Sequence, residues 1–349
     1  MDCMAAALPS AVKIRPVRRW LRRTATTPLV SVVIVNYRRW EETAALVDQL
    51  IHGKHIYRDR IEVIVIDNAS PNSPIEDKLR GNSRVKLKRM SENRGFSAGV
   101  NAGLAESGGD WILVLNPDVI LCPGFVDLLC AAALDIDEDA RHGAPVGIVG
   151  FQLRNRDGSR QLSTGLFPSL PRMLLGLLKP RQTRKYFNTE NNDRQRVPWV
   201  TGSCMLLRRQ CIEAVGGFDE DYFLYYEDVD VCERAEKLGW SICYDPALEA
   251  VHLDPLQNRT LTSTMRAVTR HASLTYFRKH RSSWSFWGLA QIVRLEAHLR
   301  RGWFRWKKNE QDAWIAEQML AMVTALRKDK PVLARCTLER ILQAAGMKS

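Results

Sequence analysis

The stretch Trp111-Ile112-Leu113-Val114-Leu115 is apolar without alternation and ends abruptly in Asn116-Pro117-Asp118. Five such residues in a row read as a strand covered on both faces, as in a largely parallel sheet flanked by helices. Pro117 stops that strand, because it offers no N–H to the ladder. In sheets of this kind ligands collect at the carboxyl ends of strands, so Asp118 stands where a ligand would be held. The same acid also suits an ordinary turn, and this stretch alone leaves both readings open.

The segments before it repeat the pattern. Leu29 to Val35 is rich in β-branched residues and ends in Asn36-Tyr37, and Ile61 to Ile66 ends in Asp67-Asn68. Between them Ala44, Val47, Leu50 and Ile51 predict a helix over 41–51. Strand, helix and strand with polar residues at matching ends make a Rossmann-like α/β start. Val85 to Leu87 is a short third strand, and Asn93 to Ala105 a helix opened by Asn93-Arg94-Gly95-Phe96. Gly95, Gly99 and Gly103 recur every four residues. That is not the dinucleotide fingerprint, but one helix face must approach something closely.

After Asp118 the spacing predicts a helix and a charged loop over 120–146, then a strand from Val146 to Leu153. Residues 154–196 carry many arginines, three prolines and Asn191-Asn192-Asp193, and read as a long mobile insertion suited to a lid or acceptor loop. Val197 to Leu207, which includes Trp199, returns to the sheet, and Val215-Gly216-Gly217-Phe218-Asp219 is a turn.

The densest chemistry lies in Phe223-Leu224-Tyr225-Tyr226-Glu227-Asp228-Val229-Asp230. Three acids precede a helix whose apolar face is Val231, Ala235 and Leu238, with Gly239 as its stop. The N–H groups and dipole of a helix start favour acids there, which accounts for one or two of them. They do not account for the aromatic wall of Phe223, Tyr225 and Tyr226; aromatics beside acids suit sugars, which present C–H faces and hydroxyl edges. His252 by itself reads as a satisfied core imidazole.

The net charge of +12 is concentrated at the two ends of the 349-residue chain. Residues 1–28 form a basic leader without the apolar core of a signal peptide, read as disordered. Residues 29–265 form the near-neutral globular body, and residues 266–349 a basic helical extension. Basic ends suit an anionic surface such as phospholipid or nucleic acid, but no nucleic-acid motif accompanies them. No apolar run approaches the length that spans a bilayer. Eight scattered cysteines without a C-x-x-C pair look like reduced thiols in a cytosolic protein. In the extension, Leu289, Ile292, Leu295, Leu299, Trp303 and Trp306 recur at steps of three and four, while Arg294, His298, Arg301 and Arg305 lie on another face. That pattern fits either a basic amphipathic helix on the inner face of the plasma membrane or a stripe packed on the body.

Six motifs in order carry a resemblance. Val32-Val33-Ile34-Val35-Asn36-Tyr37, Val65-Ile66-Asp67-Asn68-Ala69-Ser70, Asn93-Arg94-Gly95-Phe96-Ser97-Ala98-Gly99-Val100-Asn101, Leu115-Asn116-Pro117-Asp118, Gly216-Gly217-Phe218-Asp219 and Tyr226-Glu227-Asp228-Val229-Asp230 together resemble the family 2 glycosyltransferases, in particular their rhamnosyltransferase-like branch. The resemblance covers roughly residues 29–255 and implies a GT-A fold. It also implies inverting transfer of a sugar, rhamnose among the candidates, from a nucleotide-sugar donor to a glycan or lipid-linked acceptor in cell-surface polysaccharide synthesis. Asn36 and Asp67 would contact base and ribose, with Tyr37, Asn68, Asn93, Gly95, Asn101 and Asn116 as further donor-binding positions. Asp118 would bridge Mg²⁺ or Mn²⁺ to the diphosphate with His252 as second ligand; Asn116 stands where the family's metal motif usually carries its first acid. Of the acidic pair, Asp228 would be the general base, and Glu227, with Trp199 and Tyr226, would bind the acceptor.

Two other readings remain at this point. A sugar nucleotidyltransferase would need a basic, glycine-rich triphosphate loop, and Val35 to Trp40 has no glycine. A non-catalytic sugar-nucleotide binder is motivated by the basic ends, but Asp118, Asp228 and His252 together argue against it.

Overall fold

The computed structural model describes residues 28–52, 56–139, 145–176, 186, 193–255 and 260–348. The leader up to residue 27 and residues 177–185 and 187–192 of the insertion lie outside the described residues. The chain begins β1 (Val30–Asn36), α1 (Trp40–His52), β2 (Ile61–Asp67), α2 (Pro74–Arg80), β3 (Val85–Arg89), α3 (Phe96–Glu106), β4 (Trp111–Leu115), β5 (Val119–Leu121), α4 (Phe125–Asp139) and β6 (Val146–Arg154). Short elements follow: β7 (Arg160–Gln161), β8 (Thr164–Gly165), α5 (Leu170–Gly176), β9 (Gln195–Arg196) and β10 (Trp199–Val200). Then come β11 (Cys204–Arg208), α6 (Arg209–Ala214), α7 (Glu227–Lys237) and β12 (Ser241–His252), and last the helices α8 (Ser263–His280), α9 (Ser283–Trp306), α10 (Glu310–Arg327) and α11 (Pro331–Ala344).

The central sheet has the order β3-β2-β1-β4-β11-β6-β12-β5. β1 to β4 are mutually parallel, which puts Asn36, Asp67 and the end of β4 on one carboxyl edge. Every residue of β1 and β4 is buried, as the apolar runs Val32–Val35 and Trp111–Leu115 require. β11 is antiparallel to both β4 and β6, and Cys204 lies opposite Leu115, so the residues before β11 reach the same carboxyl edge. The sheet is therefore mixed at this point, although the expected α/β character holds.

Three local features differ from the expected pattern. The return strand begins at Cys204, because Trp199 and Val200 pair instead with β8 in a separate two-stranded sheet. Helix α3 begins at Phe96: Gly95, at φ 96°, holds a conformation that a helix residue cannot share, so Asn93 to Gly95 form the loop ahead of it. β5, three residues long and too short to leave a periodic signal, pairs with the end of β12.

The glycine spacing of α3 does mark a close approach. A Cβ at Gly99 would lie 2.5 Å from a methyl of Val35, and one at Gly103 would lie 2.3 Å from a methyl of Val33. The helix thus sits directly on β1. The apolar cluster on this side of the sheet continues into α8–α11, joining Val33, Met205 and Tyr244 to Tyr276, Met322 and Leu342.

Helix α9 resolves the stripe expected around it into two. Phe286, Leu289, Ala290, Val293 and Ala297 face inward. Leu289 therefore belongs to the packed face. Trp284, Ile292, Leu295, Leu299, Trp303 and Trp306 form a second apolar face that is exposed, with Leu299 66% and Trp306 69% open. No helix among the described residues is long and apolar enough to cross a membrane.

Overpacking of the α3–β1 contact should be felt directly. Gly103→Val is expected to cost about 1–3 kcal/mol in denaturant unfolding. Gly302→Ala in α9, where a Cβ meets nothing within 4 Å, is expected to gain about 0.5–1 kcal/mol from helix propensity. Equal effects of the two substitutions would contradict the packing described.

Candidate active site

Asp118 and His252 meet because of sheet register. His252, the last residue of β12, lies opposite Val119 in β5, and the Leu253 N–H donates to the Asp118 carbonyl at 2.9 Å. Their side chains approach to 3.5 Å, Nε2 to Oδ1, and both are buried. The other ring nitrogen, Nδ1, is 3.1 Å from the Gln161 side-chain amide. Reversing that amide serves either imidazole tautomer, so Gln161 can orient the ring whether Nε2 carries a proton or a metal ion. Arg39 completes the group, with its guanidinium 3.5 Å from the second Asp118 oxygen and 3.0 Å from Asp254. Burial works against ionisation of Asp118, but the bond and charge of His252, with Arg39 beyond, outweigh it and hold the carboxyl below its usual range.

Among the described residues no three His, Cys, Asp or Glu side chains gather to hold a metal ion. The protein offers one carboxylate and one imidazole converging at a strand end. That donor set fits Mg²⁺ or Mn²⁺ whose remaining positions are filled by water and phosphate oxygens, as is usual for Mg²⁺.

Asp228 heads α7 in unusual backbone surroundings. Tyr225 and Tyr226, just before it, have φ 73° and 70°, a left-handed pair of bulky residues that persists only where packing imposes it. Asp228 accepts from the Val229 N–H at 2.8 Å and from the Gly202 N–H at 3.1 Å. Ser203, next to Gly202, accepts from the Asn116 N–H at 3.0 Å. Gly202-Ser203 is therefore a two-residue bridge from the Asn116-Pro117-Asp118 turn to Asp228. Sequence reasoning passed over it, since a Thr-Gly-Ser turn carries no chemistry of its own.

Two further acids of α7, Asp230 and Glu233, face inward. Asp230, fully buried, accepts from Tyr222 at 3.2 Å and pairs with Arg234 at 2.7 Å and His280 at 2.7 Å. Glu233 pairs with Arg281 at 2.8 Å and accepts from the Tyr276 hydroxyl. Burial disfavours the charge on both, yet His280 and Arg234 at Asp230, and Arg281 and Tyr276 at Glu233, outweigh it and lower both carboxyls. These pairs clamp α7 to α8.

The residues expected to bind the donor largely bond to one another. Asn36 donates to Asp67 at 2.8 Å and to Ser70 at 3.2 Å, and Asp67 accepts from the Ser70 N–H at 3.0 Å. Asn68 donates to the Gly95 carbonyl at 2.9 Å, and Asn93 accepts from the Gly95 N–H at 3.0 Å. Asn101, in mid-α3, brackets Phe218 with bonds of 2.8 and 2.9 Å and so fixes the Gly216-Gly217-Phe218-Asp219 turn. Asn36, Asp67, Asn68 and Asn93 are buried and shape the strand-end loops; Tyr37 is half-buried at the edge. A Cβ on Gly95 would lie 2.3 Å from the Phe223 carbonyl oxygen, and the Phe96 N–H donates to that oxygen at 2.7 Å. The loop ahead of α3 and the aromatic segment thus touch backbone to backbone.

Trp199, Tyr226 and Glu227 are each almost wholly buried. The Trp199 indole donates to the Leu166 carbonyl at 3.1 Å and its ring lies 5.6 Å from that of Tyr186. Tyr186, from the insertion, was not singled out in the sequence. Burial, with the charge of Asp228 and the nearby Tyr225 and Tyr226, pushes its hydroxyl pKa up, so it remains a neutral donor beside the candidate base.

Comparison with known proteins identifies the family. The family model described as glycosyl transferase family 2 matches residues 31–216. An N-acetylglucosaminyl-diphospho-decaprenol L-rhamnosyltransferase of Mycobacterium tuberculosis is 31% identical over 261 residues, 68% of this chain and 83% of that one. The rhamnosyltransferase WbbL of Escherichia coli is 27% identical over 260 residues, 71% of this chain and 91% of that one. Among solved structures, GalNAc-T7 with UDP, GalNAc and Mn²⁺ superposes with a TM-score of 0.50 at 17% identity, over 72% of this chain and 50% of that one, which shows the shared fold. The chain belongs to glycosyl transferase family 2 and is a rhamnosyltransferase-like glycosyltransferase of GT-A fold.

Proposed function

We propose that the chain moves a sugar, rhamnose by analogy with its relatives, from a nucleotide-sugar donor to a hydroxyl of a lipid-linked or glycan acceptor in cell-surface polysaccharide synthesis, with inversion at the anomeric carbon. The observation that carries this reading is the Gly202-Ser203 bridge, which ties the turn bearing Asp118 to the half-exposed Asp228. It couples a group suited to the leaving diphosphate with one suited to the attacking hydroxyl.

In this reading Asp228 takes the acceptor proton as the hydroxyl attacks. Its bonds to two backbone N–H groups fix its orientation. Asp118 and His252 would hold a divalent cation, which supplies charge neutralisation for the departing nucleoside diphosphate. Arg39 beside them adds a fixed positive charge. Asn36, Asp67, Asn68, Asn93, Gly95, Asn101 and Asn116 build and position the donor crevice, with Tyr37 at its rim. Glu227, Trp199 and Tyr226 are assigned to the acceptor side, where they back the wall that Tyr186 covers.

Asp228→Asn is expected to keep fold and donor affinity and to lose about 10²-fold or more in kcat. A near wild-type rate for that variant beside a dead Glu227→Gln would move the base to Glu227. Transfer should also collapse in EDTA and recover with Mg²⁺ or Mn²⁺. Undiminished turnover in chelator would leave charge neutralisation to Arg39 alone.

The exposed face of α9 supports a peripheral place at the inner face of the plasma membrane. Its tryptophans suit the headgroup level, and the Lys307 ammonium lies 5.2 Å and 4.9 Å from the ring centres of Trp303 and Trp306, a cation beside the face that an anionic lipid would meet. Exposed Leu174 and Leu175 of α5, a helix that packs on α9 where Leu170 meets Gly288, extend the patch. The full chain should co-sediment with vesicles containing phosphatidylglycerol at low salt, and Leu295→Glu with Leu299→Glu should abolish this. Retention of binding by the double variant would rule the face out.

A further inference from the structure

Helix α11 ends in a turn that reaches the donor crevice. The Met347 N–H donates to the Leu342 carbonyl at 2.8 Å and the Gly346 N–H to Gln343 at 2.9 Å, the paired bonds of a Schellman cap. Gly346, at φ 63°, supplies the left-handed residue that this cap requires. The position of the Met347 carbonyl is therefore set by a rigid element. Two side chains converge on its oxygen: the Tyr37 hydroxyl donates at 2.8 Å and the Asn93 amide at 2.7 Å. Arg38 donates to the neighbouring Gly346 carbonyl at 2.6 Å. Lys348, nearly buried, lies 2.9 Å from Glu339 in α11 and 3.5 Å from Glu92 beside Asn93. Arg335 of α11 fastens the same loop by donating to the Arg94 carbonyl at 3.2 Å.

Tyr37 follows β1 and Asn93 follows β3, so the two donors flank the carboxyl end of β2, the parallel strand between them, where a nucleotide base would lie. Two neutral donors aimed at one carbonyl oxygen is also how a base carbonyl would be recognised. We propose that the turn Gly346–Lys348 occupies the base end of the donor site, the Met347 carbonyl standing in for a carbonyl of a uracil, thymine or guanine ring, and that a donor nucleotide must displace it to bind. This rests on the donor-site reading of Tyr37 and Asn93 above. The turn lowers apparent donor affinity by the fraction of molecules in which it is open. Being held by α8 and α10 through α11, it also lets the helical extension set that fraction.

The test is titration calorimetry with UDP, TDP and GDP on three proteins: the full chain, a chain ending at Ala345, and full-length Gly346→Val, which keeps the length but strains the cap. A Cβ at Gly346 meets nothing within 4 Å, so this variant should fold. One nucleotide is expected to bind both variants roughly tenfold more tightly than the full chain, the size of effect a few displaced hydrogen bonds produce. In the full chain that nucleotide should speed hydrogen exchange at the amides of 346 and 347. Equal or weaker binding by both variants overturns the inference while leaving the donor site in place. Failure of all three nucleotides on all three proteins removes the donor-site reading and the inference with it.

Discussion

The contact between Gly95 and Phe223 is the joint on which the site depends. Only a residue without a Cβ lets the loop ahead of α3 lie against the Phe223 backbone, and only a positive φ then directs the Phe96 N–H into the Phe223 carbonyl. Through this joint the strand-end loops of β1 to β3 and the aromatic segment that leads to Asp228 become one surface. The left-handed conformations of Tyr225 and Tyr226 are tolerable because the segment is held at both ends, by Gly95 on one side and by α7 on the other.

α7 is held in turn by charge. Asp230 and Glu233 point away from the site into a network with Arg234, His280 and Arg281. Such pairs would be costly to break singly, because each would leave an uncompensated buried charge. Their effect is positional: the helix that carries Asp228 cannot shift against α8, so the four C-terminal helices act as a rigid backing to the catalytic edge. The Gly202-Ser203 bridge adds the link in the other direction, from Asp228 to the turn of Asp118.

A helix with two apolar faces makes a further point about packing. The residues at steps of three and four in α9 satisfy one periodicity, yet Leu289 faces the core while Ile292, Leu295 and Leu299 face outward. Periodicity records that apolar residues share a side of a helix; it does not say which of two adjacent apolar sides meets the protein. That choice was made by α10 and by the positions of Phe286, Val293 and Ala297, small and large residues that mesh with their neighbours.

The apolar runs Val32–Val35, Val63–Ile66 and Trp111–Leu115 determined by themselves that this chain builds a sheet covered on both faces with polar residues along one edge. The glycine spacing of α3 determined that a helix would lie directly on that sheet. Asn36, Asp67, Asp118 and Asp228 were legible for the same reason: each follows or precedes a regular element whose end is marked in the local sequence. The pairing of Asp118 with His252 was not legible from spacing, since it arises from the register of β5 against β12 across more than a hundred residues. Nor was the inward turn of Trp199, Tyr226 and Glu227, because an aromatic beside an acid has the same pattern whether it lines a cleft or backs one. The docking of Gly346–Lys348 on Tyr37 and Asn93 lay furthest from view. It joins residues 310 and 254 positions apart, and such contacts depend on how whole helices pack, which no local pattern records.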